Sequence, residues 1–177
     1  IRGNNNDDIS LSGATPTSLQ LFKFIINKPN NTNILGISGN DTLIINDSAI
    51  FINGGMDGGG SISARKDIWV QATFDNCSNP IRIEGAGTSK LISDKTLCTS
   101  NGSSLTINKA NTTDSILITR SAGSGTITEG QGNNSFTIVR GIVVYPQNNR
   151  VQLNFNSLTL GTNGSLIATQ DSLFNAG

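Results

Sequence analysis

Short runs of alternating apolar and polar residues follow one another between Asn101 and Thr169, with no helix-length apolar segment between them. Leu105–Ile107 and Phe136–Ile138 are two such runs, each with a threonine at its centre. A period of two places successive side chains on opposite faces of a strand, whereas a helix requires a period of 3.6. The runs begin about every 10 residues, which is typical of all-β folds. We therefore predict an all-β protein.

The residues between the runs favour an antiparallel arrangement in the C-terminal third. Leu158–Leu160 and Leu166–Ala168 flank Asn163–Gly164, and Asn-Gly is the strongest short-range hairpin signal because both residues must adopt positive φ. Ile142–Tyr145 and Val151–Phe155 are likewise joined by a short polar segment. The prediction is an antiparallel β-sandwich or meander with Asn-Gly hairpins. The regular spacing of the preceding runs leaves a short β-solenoid as the alternative.

The 177 residues fit one domain that is long enough to bury a core. Residues 1–17 include Asn4–Asp8 and few large apolar groups, so we predict a flexible polar leader followed by a single all-β domain, 18–177. The chain begins at Ile1 without an initiator methionine, which leaves both a removed leader and a fragment of a longer protein open.

Ser18–Lys28 is the most hydrophobic segment near the N-terminus. Two interpretations fit it: a first strand of the sheet, or an assembly strand donated to a neighbouring subunit, in which backbone pairing supplies affinity and alternate side chains fill pockets. As a single strand, the segment places Phe22, Phe24 and Ile26 on one face. Leu19, Leu21 and Ile25 then occupy the other face.

Charge and hydropathy exclude several kinds of partner. The formal net charge is zero, only 14% of the residues are charged, and no basic cluster exceeds Arg65–Lys66. Phosphate binding requires a basic patch, so we predict no nucleic-acid partner. No apolar run approaches the about 18 residues that a membrane-spanning helix needs, so we predict no membrane span.

Catalytic residues do not form a recognisable pattern. The chain has no histidine, which removes the Ser-His-Asp and Cys-His arrangements and the commonest general base near neutral pH. The only glutamates are Glu84 and Glu129, and pairing them with Asp94 or Asp114 as glycosidase carboxylates has no support in their spacing. The sequence therefore predicts a protein that is not an enzyme, with no catalytic residues.

The only two cysteines, Cys77 and Cys98, can form one intrachain disulfide. It would close a loop of about 20 residues and stabilise the fold by about 3 kcal/mol in the chain-entropy model. An oxidising, extracellular environment suits the polar surface, and two reduced buried thiols are the alternative. With no histidine, two cysteines cannot complete a usual tetrahedral zinc site.

Calcium is the metal that the sequence accommodates best. Asn40, Asp41, Asn46, Asp47 and Asp57 place hard oxygen ligands in successive turn-like segments. The alternative is that they are ordinary turn residues, whose side chains bond their own backbone. We select Asn40, Asp41, Asp47 and Asp57 as candidate calcium ligands and predict no other cofactor.

Two segments resemble known families of secreted proteins. Gly36–Ile44 resembles one copy of the calcium-binding nonapeptide of secreted repeat toxins, with Ile37 in place of its second glycine; the resemblance implies calcium held between stacked copies. Ser61–Ala72 is similar to the rungs of filamentous-haemagglutinin and autotransporter-passenger solenoids. That resemblance implies a surface adhesin.

Taken together, these features predict a secreted or cell-surface structural protein. We expect a subunit of a filament, pilus or fimbrium, or a fragment of an adhesin, which associates with other copies or with a host or matrix surface by β-strand addition. A lectin-like carbohydrate-binding domain is the alternative, although only Trp69 and Tyr145 add to the phenylalanines as aromatic platforms. A polysaccharide-active β-helix is the third interpretation.

Overall fold

The computed structural model describes residues 7–9, 18–29, 34–37, 40–71, 80–95, 104–121, 126–127, 135–145, 152–168 and 174–176. All regular elements among these residues are β-strands. In chain order they are β1 (Asp7–Ile9), β2 (Ser18–Leu21), β3 (Phe24–Asn27), β4 (Ile34–Ile37), β5 (Thr42–Ile45), β6 (Ala49–Asn53), β7 (Gly55–Asp57), β8 (Ser61–Ala64), β9 (Ile68–Val70), β10 (Ile81–Ile83), β11 (Ser89–Ser93), β12 (Ser104–Asn108), β13 (Ser115–Thr119), β14 (Thr126–Ile127), β15 (Ser135–Tyr145), β16 (Gln152–Phe155), β17 (Ser157–Ala168) and β18 (Phe174–Ala176).

The strands stack in parallel, each on the equivalent strand of the preceding turn of chain. A first face contains β2, β5, β8, β10 and β12, and a second face contains β3, β6, β9, β11 and β13. β15 bends at a corner and pairs with β12 through its first half and with β13 through its second half, which joins the two faces into one 12-stranded sheet. Equivalent residues in successive turns lie 19 to 32 positions apart, as for Leu43 with Ile62 and Asn108 with Arg140. The described residues therefore form a solenoid-like stack of rungs.

Two columns of inward-facing residues run through the first face. The first inward column consists of Leu19, Leu43, Ile62, Ile81, Leu105, Phe136 and Leu158. The second inward column consists of Leu21, Ile45, Ala64, Ile83, Ile107, Ile138 and Leu160. Alternation along each strand puts apolar residues inside, and parallel registry places each of them over its counterpart in the next rung. The five central members of each column are buried.

A third side of the stack completes the core. β4 pairs with β1 and β7, and β16 pairs with β14 and β18, all in parallel. Leu35, Ile37 and Met56 contribute buried side chains from this side. The ring of Phe155 in β16 stacks on Phe136 at a centroid distance of 5.0 Å. The apolar core is thus enclosed by the 12-stranded sheet on two sides and by these two three-stranded sheets on the third.

The prediction of an all-β protein is confirmed, but that of an antiparallel sandwich or meander is wrong, because every strand pair among the described residues is parallel. The short solenoid held as the alternative describes the observed arrangement. Asn163–Gly164 does not form a hairpin but lies inside the 12-residue strand β17, which pairs with β15 on both sides of a register shift between Leu160 and Asn163. A Cβ at Gly164 would overlap the carbonyl of Ile138. This glycine therefore permits close strand packing where the sequence indicates a turn.

Ser18–Lys28 forms two strands, β2 and β3, separated by a corner at Phe22 and Lys23. The corner shifts the alternation, so Phe24 and Ile26 are buried while the side chain of Phe22 is 75% exposed. The predicted grouping of Phe22 with Phe24 and Ile26 is therefore wrong. Leu19 and Leu21 of β2 pack against the same core as Phe24 and Ile26 of β3. Within the predicted polar leader, β1 pairs with β4.

Candidate functional site

Each inward column of the first face ends, at both ends of the stack, in a leucine that no further rung covers among the described residues. At one end, β2 pairs with β5, and Leu19 and Leu21 are only partly buried. At the other end, β17 pairs with β15, and the side chains of Leu158 and Leu160 are 45% and 52% exposed. Among the described residues, neither β2 nor β17 pairs along its second edge. These two strand edges form the candidate assembly surface.

The edge of β17 has few of the features that protect most edge strands. It is 12 residues long and contains neither a charged residue nor a proline, although its pairing with β15 shifts register between Leu160 and Asn163. Edge strands are usually short, or carry lysine, proline or a bulge that discourages pairing with another chain. Ser157–Leu160, which precedes this irregularity, therefore has no charge, proline or bulge that would discourage pairing along its second edge.

The residues predicted as an assembly strand lie at the opposite end of the stack. Leu19 and Leu21 stand in the inward columns of the first face, and Phe24 and Ile26 stand in β3, in register with Ala49 and Phe51 of β6. Phe22 lies at the corner between the two strands. The segment thus forms a rung of its own chain, which is the first-strand interpretation. Donation of this segment to a neighbouring subunit stays a prediction.

The predicted disulfide and calcium residues are only partly placed by the structure. Cys77 and Cys98 lie outside the described residues, so the disulfide stays a prediction. Asn40 is exposed in a turn and Asp41 is buried before β5, whereas Asp57 lies in β7. Asp47 Oδ1 lies 3.6 Å from Lys66 Nζ. In the described ranges, no three Asp, Glu, Cys or His residues form a group that could hold a metal ion, and the calcium site remains a prediction.

Two of the carboxylates considered for catalysis accept hydrogen bonds from residues of neighbouring rungs. Glu84 Oε2 accepts a hydrogen bond of 2.8 Å from Ser63 Oγ. Asp94 accepts a bond of 2.7 Å from Trp69 Nε1 and two more from the backbone nitrogen and hydroxyl of Ser121. These bonds connect β9, β11 and β13 through Asp94. Both carboxylates therefore cross-link rungs, whereas Glu129 lies outside the described residues.

Sequence reasoning did not identify Lys109, whose side chain is fully buried at a corner of the stack. Its Nζ donates hydrogen bonds to the hydroxyl of Ser89 at 2.7 Å and to the carbonyl of Glu84 at 3.1 Å. The aliphatic part of Lys109 packs against Gly141, where a Cβ would lie 2.6 Å from Lys109 Cγ. The available signal in the sequence was a lysine directly after the alternating strand β12, but a surface position explains that pattern equally well.

The charges around Lys109 are coupled. Burial lowers the pKa of Lys109 from its ordinary value of 10.5, and the carboxylates of Asp114 and Asp67 partly oppose this effect. Desolvation would raise the pKa of Asp114, but hydrogen bonds from Gly87 and Asn111 and the charge of Lys109 lower it overall. Ser89 and Lys109 are buried together, so the amine serves as a cross-link between rungs.

The outer side of the second face carries an apolar column. Ile25, Ile50, Trp69 and Ile92 stand in register on four successive rungs and point away from the core. Trp69 is half-buried, and Asp94 fixes its indole nitrogen. An indole held in this way presents an ordered apolar surface among aliphatic neighbours.

No protein-family model, curated protein or solved structure matches this chain. No helix among the described residues has the length and apolarity needed to cross a membrane.

Proposed function

We propose that this chain is a non-enzymatic structural protein of an extracellular surface, a filament subunit or adhesin segment, that associates through the edges of its stacked rungs. The observation that carries the proposal is the pair of incomplete inward columns, which end in partly exposed leucines on β2 and β17. A further rung at either edge would bury these leucines and satisfy the backbone groups of the edge strand.

Composition and side-chain bonding support a structural role. The low content of charged residues and the excess of amide and hydroxyl groups suit an exposed surface in an extracellular environment. Glu84, Asp94 and Lys109 each hold neighbouring rungs together. The predicted disulfide between Cys77 and Cys98 would add stability in the same environment.

Self-association of the unmodified chain is the first expected result. Sedimentation velocity over a series of concentrations should show a progressive shift from monomer to larger species, because the free strand edges pair by mass action. Electron micrographs of the same samples should show linear particles. A single monomeric species at every concentration would contradict the proposed function.

Carbohydrate binding is a second candidate, and Trp69 is the observation that favours it. The hydrogen bond to Asp94 orders the indole, and Ile50 and Ile92 extend the apolar surface on both sides of it. Sugar rings stack on ordered aromatic surfaces of this kind.

The carbohydrate hypothesis predicts that Trp69→Ala abolishes binding on a glycan array. Ile167→Ala is the matched control, because Ile167 is also exposed, in the part of β17 that pairs with the second half of β15, but stands outside the column of Trp69. The control should bind as the unmodified chain does. Absence of any glycan bound by the unmodified chain, or equal binding by both variants, would exclude this candidate.

A further inference from the structure

The first and last rungs of the first face have nearly the same sequence. β2 reads SLQL from Ser18 to Leu21, and β17 begins with SLTL from Ser157 to Leu160. The leucines of both segments belong to the same two inward columns, and Gln20 and Thr159 occupy the same outward column. The exposed edge at one end therefore matches the exposed edge at the other in side-chain pattern and in strand direction.

The contact between β15 and β17 shows how a strand with this side-chain pattern pairs with the end of the first face. Phe136 lies opposite Leu158 and Ile138 opposite Leu160, in parallel register. A strand with leucines at two alternate positions thus packs on this face by inward apolar contacts and a parallel hydrogen-bond ladder. β2 has the same two leucines at the same spacing. Neither Ser18–Leu21 nor Ser157–Leu160 contains a charge that would oppose their approach.

We propose that β17 of one copy pairs in parallel with β2 of a second copy, with Leu158 opposite Leu19 and Leu160 opposite Leu21. This inference rests on the proposed function and adds to it the partner, the polarity and the register. The contact is head-to-tail, so each added copy leaves a new β17 edge exposed at the growing end. Interfaces of this type produce open linear assemblies when the rotation between copies does not close a ring.

Disulfide cross-linking between two variants, each with one added cysteine, tests the register. A mixture of the Gln20→Cys and Thr159→Cys variants should form an intermolecular disulfide under mild oxidation, because directly opposed residues on adjacent strands lie about 4.8 Å apart and a disulfide needs Cα atoms within about 7 Å. The matched control mixes Ser18→Cys with Thr159→Cys. All three altered positions are exposed, but a two-residue offset separates the control pair by about 8 Å. Tandem mass spectrometry distinguishes the new bridge from Cys77 and Cys98.

A dominant bridge between positions 20 and 159 supports the proposal. A dominant bridge between positions 18 and 159, or oligomers without a bridge in the 20–159 mixture, overturns the register and leaves the proposed function intact. Absence of oligomers in the unmodified chain would contradict both.

A charge placed in the inward column tests the same contact independently. Leu160→Lys should raise the concentration needed for half-association by about tenfold or more, because pairing would bury an unpaired ammonium group. Thr159→Lys is the matched control: it adds the same charge to the same strand on the outward side, where the ammonium group stays in water, and should raise this concentration far less than Leu160→Lys. Leu160 is half exposed in the single copy, and an unchanged far-ultraviolet spectrum confirms folding. Equal association by a folded Leu160→Lys variant would overturn the proposal.

Discussion

Gly85→Ala should lower the free energy of unfolding by about 3 kcal/mol or more. Gly85 lies at the corner that follows β10, with a φ of +82°, and an added Cβ would overlap the carbonyl of Arg65 in the rung below. The left-handed conformation costs an alanine about 1–2 kcal/mol, and overpacking against fixed backbone adds about 1–3 kcal/mol. The corner cannot move away easily, because the Gly85 carbonyl accepts a hydrogen bond from Ala110 N at 3.0 Å.

Gly87→Ala separates the two contributions to that cost. Gly87 also has a positive φ, +73°, but an added Cβ would have no neighbour within 4 Å. This variant should therefore lose only the about 1–2 kcal/mol of the strained backbone. Urea unfolding followed by circular dichroism measures both variants. Equal losses would mean that close contact between rungs does not restrict this corner.

The all-β character could be predicted from sequence because alternation depends only on which residues face the core. The direction of pairing could not, since parallel and antiparallel strands share the same alternation. Gly164 illustrates this difference, because a glycine after asparagine predicts a turn. In the structure its missing side chain makes room for the carbonyl of Ile138. Only the neighbouring rung, 26 positions earlier in the chain, distinguishes the two roles.

The candidate assembly surface was partly accessible from sequence. Hydrophobicity identified the segment containing Leu19 and Leu21, because apolar residues near a polar terminus stand out. The role of Leu158 and Leu160 could not be found in this way, since their alternation is that of any strand. Their exposure follows from the position of β17 at the end of the stack, which is a property of the assembled rungs.

Lys109→Ala should lower the free energy of unfolding by about 2–5 kcal/mol, the range found when a long buried side chain is truncated to alanine. The substitution leaves the Ser89 hydroxyl and the Glu84 carbonyl without the donor that they share and opens a cavity beside Gly141. Lys109→Met is the matched control, because it keeps most of the aliphatic stem and removes the charge. Urea unfolding at neutral pH should show a smaller loss for Lys109→Met than for Lys109→Ala. Equal losses would contradict a packing role for the stem.

The difference in stability between the unmodified chain and Lys109→Met should depend on pH. Burial lowers the native pKa of Lys109 below its ordinary value of 10.5. Between the lowered pKa and 10.5 the unfolded chain binds more protons than the native protein, so the contribution of this lysine to stability rises with pH in that window. Tyr145, whose pKa burial raises, is present in both proteins and cancels in the comparison. The stability of the unmodified chain relative to Lys109→Met should therefore increase between neutral pH and 10.5. A difference that does not change with pH would show that burial does not disfavour the charged amine.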